Sequence, residues 1–199
     1  MEHPIITELT KILKSKNGSP FLFIGSGFSR RYLGWEDWKG LLSSYCARLG
    51  KPYDFYISQI SDKNDFPRIA SLIAEDFNKL WWESSEFEDA RKEMSGQIEG
   101  TSSAIKHDIS NYLNSISLKA IEEGTHPYSE EITLLKQLNV DGIITTNWDN
   151  FLEFLFPDYD VYVGQNDLLF SNLLNLNEIY KIHGSITKPN SLIFFSRRL

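Results

Sequence analysis

The sequence is poor in cysteine and in long apolar segments, and each shortage excludes a class of protein. A single cysteine, Cys46, among 199 residues excludes an intramolecular disulfide and any site that needs several thiolates. No apolar run approaches the ~18 residues that a membrane span needs. The residues after Met1 show no basic segment followed by an apolar one, so no signal peptide is expected. We therefore predict a cytoplasmic protein with no membrane partner.

The sequence also lacks an excess of positive charge. It has 20 Lys and Arg against 27 Asp and Glu, which gives a formal net charge of −7. Proteins that bind nucleic acid regardless of sequence present a basic face to the phosphates, so we predict no direct nucleic-acid partner. With 41% hydrophobic and 24% charged residues the chain is typical of a folded globular protein. Its length predicts a single domain over residues 1–199.

Short apolar runs alternate with segments of helical periodicity. The runs predict strands at residues 21–24, 140–144, 160–163, 179–182 and 192–195, the first of them buried on both faces. The periodic segments predict helices from Pro4, over Trp35–Leu49, after Pro67, from Thr101 or Ser102, near Pro127 and at Phe151. This alternation predicts an α/β fold, with a parallel sheet and helices on both faces.

Three polar clusters follow predicted strands, and the first is rich in glycine. Glycines between a strand and a helix let the backbone approach a phosphate, while the helix N-terminus supplies N–H donors. Hydroxyls and a guanidinium would add to such a site, which consists of Gly25, Ser26, Gly27, Ser29 and Arg30. The third glycine of the dinucleotide fingerprint and a Gly-Lys-Ser/Thr motif are absent, which argues against an ordinary dehydrogenase and a phosphate-loop NTPase. Taken alone, the cluster is equally well explained as a tight turn.

The other two clusters carry side chains suited to catalysis. Residues 145–149 read Thr-Thr-Asn-Trp-Asp, so Asn147 and Asp149 can face one cleft, although the same residue types are preferred helix N-caps. His183 ends an apolar strand and precedes Gly184 and Ser185, a good position for a general base. A lone histidine is more often structural. Ligands of open α/β sheets bind at the carboxyl ends of the strands, where all three clusters are expected.

Together and in this order, the clusters resemble the sirtuin-like family of NAD-consuming domains. That family has a Gly-Ser/Ala-Gly-x-Ser turn, a central Asn-x-Asp and a His-Gly after a strand, which match Gly25 to Ser29, Thr145 to Asp149 and His183-Gly184. The resemblance covers about residues 20 to 195 and implies a Rossmann-like fold. It also implies that NAD is bound as a substrate and that its nicotinamide–ribose bond is cleaved.

The resemblance assigns a role to each matching residue. Asn147 would hold the nicotinamide ribose or the attacking water, and His183 would be the general base at the ribose. Asp149 would contact the carboxamide or order its loop. The remaining cofactor-binding residues would be Gly25, Ser26, Gly27, Ser29, Arg30, Gly184 and Ser185. No metal is expected.

Protein deacylases of this family usually carry a zinc module held by four cysteines, and the chain has one cysteine. A helical insertion, at about residues 53–126, stands where that module would be. This resembles the branch of bacterial antiphage systems that hydrolyses NAD and depletes the cell of it. The leading hypothesis is thus an NAD hydrolase. A protein deacylase and a catalytically silent nucleotide-binding or assembly module are the alternatives.

Family members normally continue with a further strand and a second Gly-x-Ser/Asp turn after the His-Gly-Ser segment. Because this chain stops at Leu199, we expect it to be the N-terminal part of a longer protein, truncated at its C-terminus. An enzyme that depletes NAD must be inactive in healthy cells. Activation through a homo-oligomer or through a partner or sensor domain is therefore expected.

Overall fold

A computed structural model describes residues 4–15, 19–164, 167 and 176–193. Four strands form one parallel sheet in the order β1-β2-β4-β3, with β1 Phe21–Ile24, β2 Gly142–Thr145, β3 Asp160–Val163 and β4 Glu178–Lys181. Helices lie between β1 and β2 and between β2 and β3, and the parallel sheet with these helices confirms the predicted α/β, Rossmann-like fold. All four strands lie within two residues of the predicted apolar runs.

Ten α-helices are found in the described part of the chain. They are α1 Pro4–Lys14, α2 Ser26–Leu33, α3 Trp38–Arg48, α4 Tyr53–Ile57, α5 Phe66–Glu83, α6 Glu88–Glu93, α7 Ser103–Asn114, α8 Lys119–Glu122, α9 Ser129–Lys136 and α10 Phe151–Leu155. Short 3-10 helices cover Ser85–Phe87 and Pro189–Ser191. The predicted helical insertion of residues 53–126 corresponds to α4 through α8.

The helix predicted over Trp35–Leu49 starts later than expected. The carboxylate of Asp37 accepts a hydrogen bond of 2.8 Å from the backbone N–H of Gly40 and caps α3, which therefore begins at Trp38. Asp65 caps α5 in the same way, with Pro67 in its first turn. Trp35 thus lies in the connection before α3, where its indole lines a cavity instead of extending the helix.

Two expectations about strands were wrong. β1 is an edge strand, and Phe21 and Phe23 are 52% and 70% exposed, so it is not buried on both faces. Leu22 and Ile24, which point to the opposite face, pack against the core. Leu192 and Ile193 are not in a strand, and the rest of the predicted strand 192–195 lies outside the described residues.

The buried apolar residues form two clusters. One covers a face of the sheet and joins Ile143 and Ile179 of the strands to Tyr32 of α2, Ile132 of α9 and Phe151 of α10. The other is built mainly from α3, α5 and α7, with Cys46 as a small core residue, as predicted.

The helical cluster also contains residues from the segments that follow two of the strands. Trp148 comes just after β2, and Ile186 and Leu192 come after β4. Trp148 packs edge-on against Trp38 of α3, with 5.3 Å between the ring centroids. The helical part of the chain is thereby seated on the carboxyl edge of the sheet, where the polar clusters lie.

Candidate functional site

A cavity of about 430 Å³ lies between the carboxyl edge of the sheet and the helical cluster. The sheet side contributes Ser26, Thr146, Asn147, Trp148 and His183. The helical side is mainly apolar and aromatic, with Trp35, Trp38, Leu41, Phe66, Pro67, Tyr112 and Leu113. At least one residue of each predicted polar cluster therefore reaches the same space. A mostly apolar wall with a few convergent polar groups is typical of a small-molecule site.

The glycine-rich turn leaves a helix N-terminus open. Gly25 is the N-cap of α2 in an extended conformation, and no side chain caps the first turn. The initial N–H groups of a helix have no partner within the helix, and the helix dipole favours an anion there. A Cβ on Gly27 would meet no atom within 4 Å, so the space beside this turn is open. Phosphate groups are suited to such a place.

Hydrogen bonds hold the side-chain amide of Asn147 in one orientation, and its oxygen has no partner among the described residues. Its Nδ2 donates to the carbonyl oxygen of Gly25 at 3.0 Å and to Oγ of Ser29 at 2.8 Å. A carbonyl oxygen only accepts, so the amide nitrogen must face Gly25. The side chain is 5% exposed, and its Oδ1 is buried with no hydrogen-bond partner among the described residues. A buried acceptor without a partner costs free energy unless a ligand or water satisfies it.

Ser29 and Asp149 form the layer behind Asn147. Oγ of Ser29 donates to Oδ2 of Asp149 at 2.6 Å, and both residues are buried. Oδ1 of Asp149 accepts from the backbone N–H of Phe151 at 2.9 Å, which satisfies a donor at the start of α10. Asp149 thus satisfies a backbone group of the loop that carries it. Direct contacts of Ser29 and Asp149 with NAD stay predictions.

Lys181, at the end of β4, belongs to the same layer and was missed by the sequence analysis. Its side chain is fully buried, and its Nζ lies 2.5 Å from the carbonyl oxygen of Asp149 and 2.6 Å from Oε1 of Glu153. Burial raises the pKa of Glu153, and the neighbouring lysine opposes that rise. The available signal was a lysine within the predicted strand 179–182, two residues before His183. Buried lysines almost always have a partner.

His183 lies one strand away from Asn147 at the same edge of the sheet. Its imidazole is half-buried and lines the cavity. Burial lowers the pKa of His183, because it disfavours the charged imidazolium. The neutral ring required of a general base is therefore the dominant form at neutral pH.

Gly184 shapes the turn that carries His183. Its φ is +88°, in the left-handed region, and a Cβ there would overlap the backbone carbonyl of Ser191. The backbone N–H of Ile193 donates to the carbonyl oxygen of His183 at 2.9 Å. Glycine thus lets residues 191–193 pack directly against the histidine turn.

Of the predicted cofactor-binding residues only Ser26 lines the cavity, and Ser185 and Arg30 are among those that lie apart from it. Ser185 is fully buried, and its Oγ accepts from the N–H and the hydroxyl of Thr187 at 3.3 and 3.0 Å. Arg30 is exposed on α2, within the turn of helix that follows Gly27. Ser26, Asn147 and His183 reach the cavity, with Ser29 and Asp149 behind them. Whether Arg30, Gly184 and Ser185 contact a cofactor stays a prediction.

The described residues contain neither a metal-binding cluster nor a membrane-spanning helix. Across residues 4–15, 19–164, 167 and 176–193, no group of three or more His, Cys, Asp or Glu side chains is arranged to hold a metal ion. Within the same ranges, no helix combines the length and apolar character needed to cross a membrane.

The site residues that follow β2 and β4 lie in a segment that matches a protein-family model. Residues 141–199, under a third of the chain, match the family model of the SIR2-like domain. The match supports a sirtuin-like domain. The matched segment contains Asn147, Asp149, Lys181 and His183, whereas Gly25 to Arg30 lie outside it. The members of this family typically use NAD. No curated protein matches the chain.

Proposed function

We propose that the protein hydrolyses NAD to nicotinamide and ADP-ribose. The observation that carries this proposal is the unpartnered Oδ1 of Asn147, buried at a cavity that His183 also lines. One group can orient a water or a ribose hydroxyl, and the other can accept a proton. The similarity of residues 141–199 to SIR2-like domains supports NAD as the molecule that enters.

The reaction needs one bond to break and one to form. The bond between C1′ of the ribose and the ring nitrogen of nicotinamide breaks, and its electron pair goes to that nitrogen. Water forms the new bond at C1′, where positive charge has developed. Oδ1 of Asn147 would accept a hydrogen bond from this water, and the imidazole of His183 would take its proton. Fixed dipoles aimed at developing charge are a main source of catalytic power in such sites.

The glycine-rich turn would bind the rest of the substrate. The open N-terminus of α2 at Gly25, Ser26 and Gly27 suits the pyrophosphate, and Arg30 would add a positive charge nearby. Anchoring the phosphates fixes the ribose relative to Asn147 and His183. Such positioning holds the reacting groups in the required geometry before the reaction begins, and this lowers the activation free energy.

The same proposal includes a biological role in antiphage defence, which the resemblance to the NAD-hydrolysing bacterial branch supports. Removal of NAD from an infected cell would stop phage growth. The activity would be controlled in the cell, through self-assembly or through a partner or sensor domain. Infection of cells that carry the wild type or His183→Ala, with NAD measured over time, tests this role.

The purified chain incubated with NAD, with the products separated by chromatography, tests the activity. We expect nicotinamide and ADP-ribose from the wild type and losses of about 100-fold or more from Asn147→Ala and His183→Ala. Asn64→Ala and His126→Ala are matched controls, because neither residue lines the cavity. Equal nicotinamide release by the wild type and both site variants would refute the assignment of the site.

The same assay separates the alternatives. Nicotinamide release that requires an acylated lysine peptide would identify a deacylase, in which His183 would serve as the same base. Binding of NAD without any turnover would identify a silent nucleotide-binding module. Both outcomes are read from wild-type protein, with calorimetry as the measure of binding.

A further inference from the structure

We infer that Lys181 is a positioning residue that fixes the side chain of Asn147 in the orientation the reaction needs. The kinetic part of this inference rests on the proposed NAD hydrolysis. Its structural part does not, because the orientation of Asn147 can be measured without a substrate.

The ammonium group of Lys181 ties β4 to the loop that follows β2. Besides the carbonyl oxygen of Asp149 and the carboxylate of Glu153, it reaches Oδ1 of Asn150 at 3.3 Å. An ammonium has three donors and no acceptor, and here each donor has a partner. The side chain is fully buried, so water does not compete for these contacts. The backbone of Asp149 and Asn150 is thereby fixed against the end of β4.

Side-chain hydrogen bonds connect Asp149, through Ser29, to Asn147. Oδ2 of Asp149 accepts a hydrogen bond of 2.6 Å from the hydroxyl group of Ser29. Because this hydroxyl already donates its proton to Asp149, Oγ of Ser29 can act only as an acceptor for Asn147. It accepts a hydrogen bond of 2.8 Å from Nδ2 of Asn147. Nδ2 also faces the carbonyl oxygen of Gly25, so Oδ1 is the amide atom left without a partner among the described residues, in a side chain that lines the cavity. A flipped amide would place Oδ1 against two acceptors.

The ion pair between Lys181 and Glu153 does not by itself explain why a lysine occupies this place. Burial of an ion pair costs desolvation that the mutual attraction only partly offsets, so such a pair is poor evidence of stabilisation. An apolar residue of similar length would fill the same volume at the end of β4. It would leave the carbonyl oxygen of Asp149 without its short hydrogen bond. The benefit of Lys181 therefore lies in the geometry of the loop.

The test compares two variants that differ only at residue 181. Glu153→Gln keeps the ammonium of Lys181, whereas Glu153→Gln combined with Lys181→Met removes it without leaving a buried carboxylate unpaired. The readout is the side-chain amide of Asn147 in a nitrogen–proton NMR spectrum, assigned by its loss in Asn147→Ala. Lys51→Met, which breaks an ion pair with Asp76 on the helical part, is the matched control.

We expect protected, sharp amide signals from Asn147 in the wild type, Glu153→Gln and Lys51→Met. In the double variant we expect accelerated hydrogen exchange and a loss of the single orientation. The rate constant kcat for NAD should fall by about 100-fold while KM stays within about threefold, since a misplaced group lowers turnover more than binding. A merely structural role would lower the folded fraction and leave kcat per folded molecule unchanged.

A folded double variant with unchanged Asn147 signals overturns the inference. If the double variant does not fold, Ser29→Ala tests the same connection between Asp149 and Asn147, and unchanged amide signals there overturn it too. Altered signals in a protein whose wild type releases no nicotinamide support the positioning role and refute the proposed hydrolysis. The two conclusions are thus separable.

Discussion

The side-chain nitrogen of Asn147 lies 2.8 Å from the hydroxyl oxygen of Ser29, although 118 residues separate them along the chain. The contact joins the glycine-rich turn after β1 to the polar segment after β2. It also decides which end of the Asn147 amide faces the cavity. Two sequence clusters that look independent are therefore one structural unit.

Gly27→Val should block NAD binding and leave the fold intact. A Cβ at this position meets no protein atom within 4 Å, and valine is no worse a helix former than glycine. The added methyl groups would instead occupy the space proposed for the phosphates. We expect the Kd for NAD, measured by calorimetry, to rise by at least about tenfold, or by about 1.4 kcal/mol. An unaltered Kd would place the phosphates elsewhere.

Gly184→Ala should be strongly destabilising. The backbone at this residue has a left-handed φ of +88°, and the new methyl group would overlap the carbonyl of Ser191. Strain and overpacking together cost about 3 kcal/mol. Urea denaturation measures the loss. Gly100→Ala is the control, with a change within about 0.5 kcal/mol, because its position is open and not left-handed. Equal midpoints for the two variants would contradict this account.

The activity should have an acidic limb set by His183. Because burial lowers its pKa, the histidine stays neutral below its ordinary value of 6.5 and gains a proton only at lower pH. We expect full activity above pH ~6.5 and a fall in kcat as the pH drops through the lowered pKa. Rates measured over this range by nicotinamide release test this. An acidic limb centred above pH ~6.5 would mean that another group titrates.

The same shift predicts the direction of the stability change. The unfolded chain binds a proton at His183 near pH 6.5, whereas the folded chain binds it at lower pH. Folding is therefore less favourable as the pH falls from 6.5 towards the lowered pKa. Unfolding midpoints of the wild type should fall more steeply over this window than those of His183→Gln. Parallel curves would show that the pKa of His183 is not lowered.

Chelation should leave the activity unchanged. The proposed reaction uses the amide of Asn147 and the imidazole of His183, with no step that needs a Lewis acid. Nicotinamide release is to be compared before and after treatment with EDTA and after addition of Zn²⁺ or Mg²⁺. Loss of activity with the chelator and its return with one metal would require a revised mechanism.

The strands and the place of the site could be predicted from the sequence, because short apolar runs ending in polar clusters have few other interpretations in an α/β chain. The exposure of β1 could not. Phe21 to Ile24 reads as a strand buried on two faces, but whether each face of a strand is covered depends on segments that are far apart in sequence. Phe23 is 70% exposed, whereas Leu22 and Ile24 of the same strand pack against the core, so the exposure belongs to one face of β1.

Ser26, Asn147 and His183, which line the cavity, were named from the sequence, but the contacts among the residues behind them were not. Ser29 and Asp149 were expected to contact NAD, and the structure also joins them to each other. Lys181 carried no recognised motif. Its role depends on a neighbouring strand end, and no local pattern shows that the carbonyl oxygen of Asp149 will lie beside it. Contacts between distant segments decide such roles, and periodicity reports only local structure.

The separation of Ser29, Asn147 and His183 along the chain has a consequence for biosynthesis. A ribosome makes the glycine-rich turn first and the histidine turn much later, with over 150 residues between Ser29 and His183. Until the segment with His183 has left the ribosome, this histidine and Asn147 cannot line the same cavity. Nascent and prematurely terminated chains that stop before His183 would thus lack a complete site.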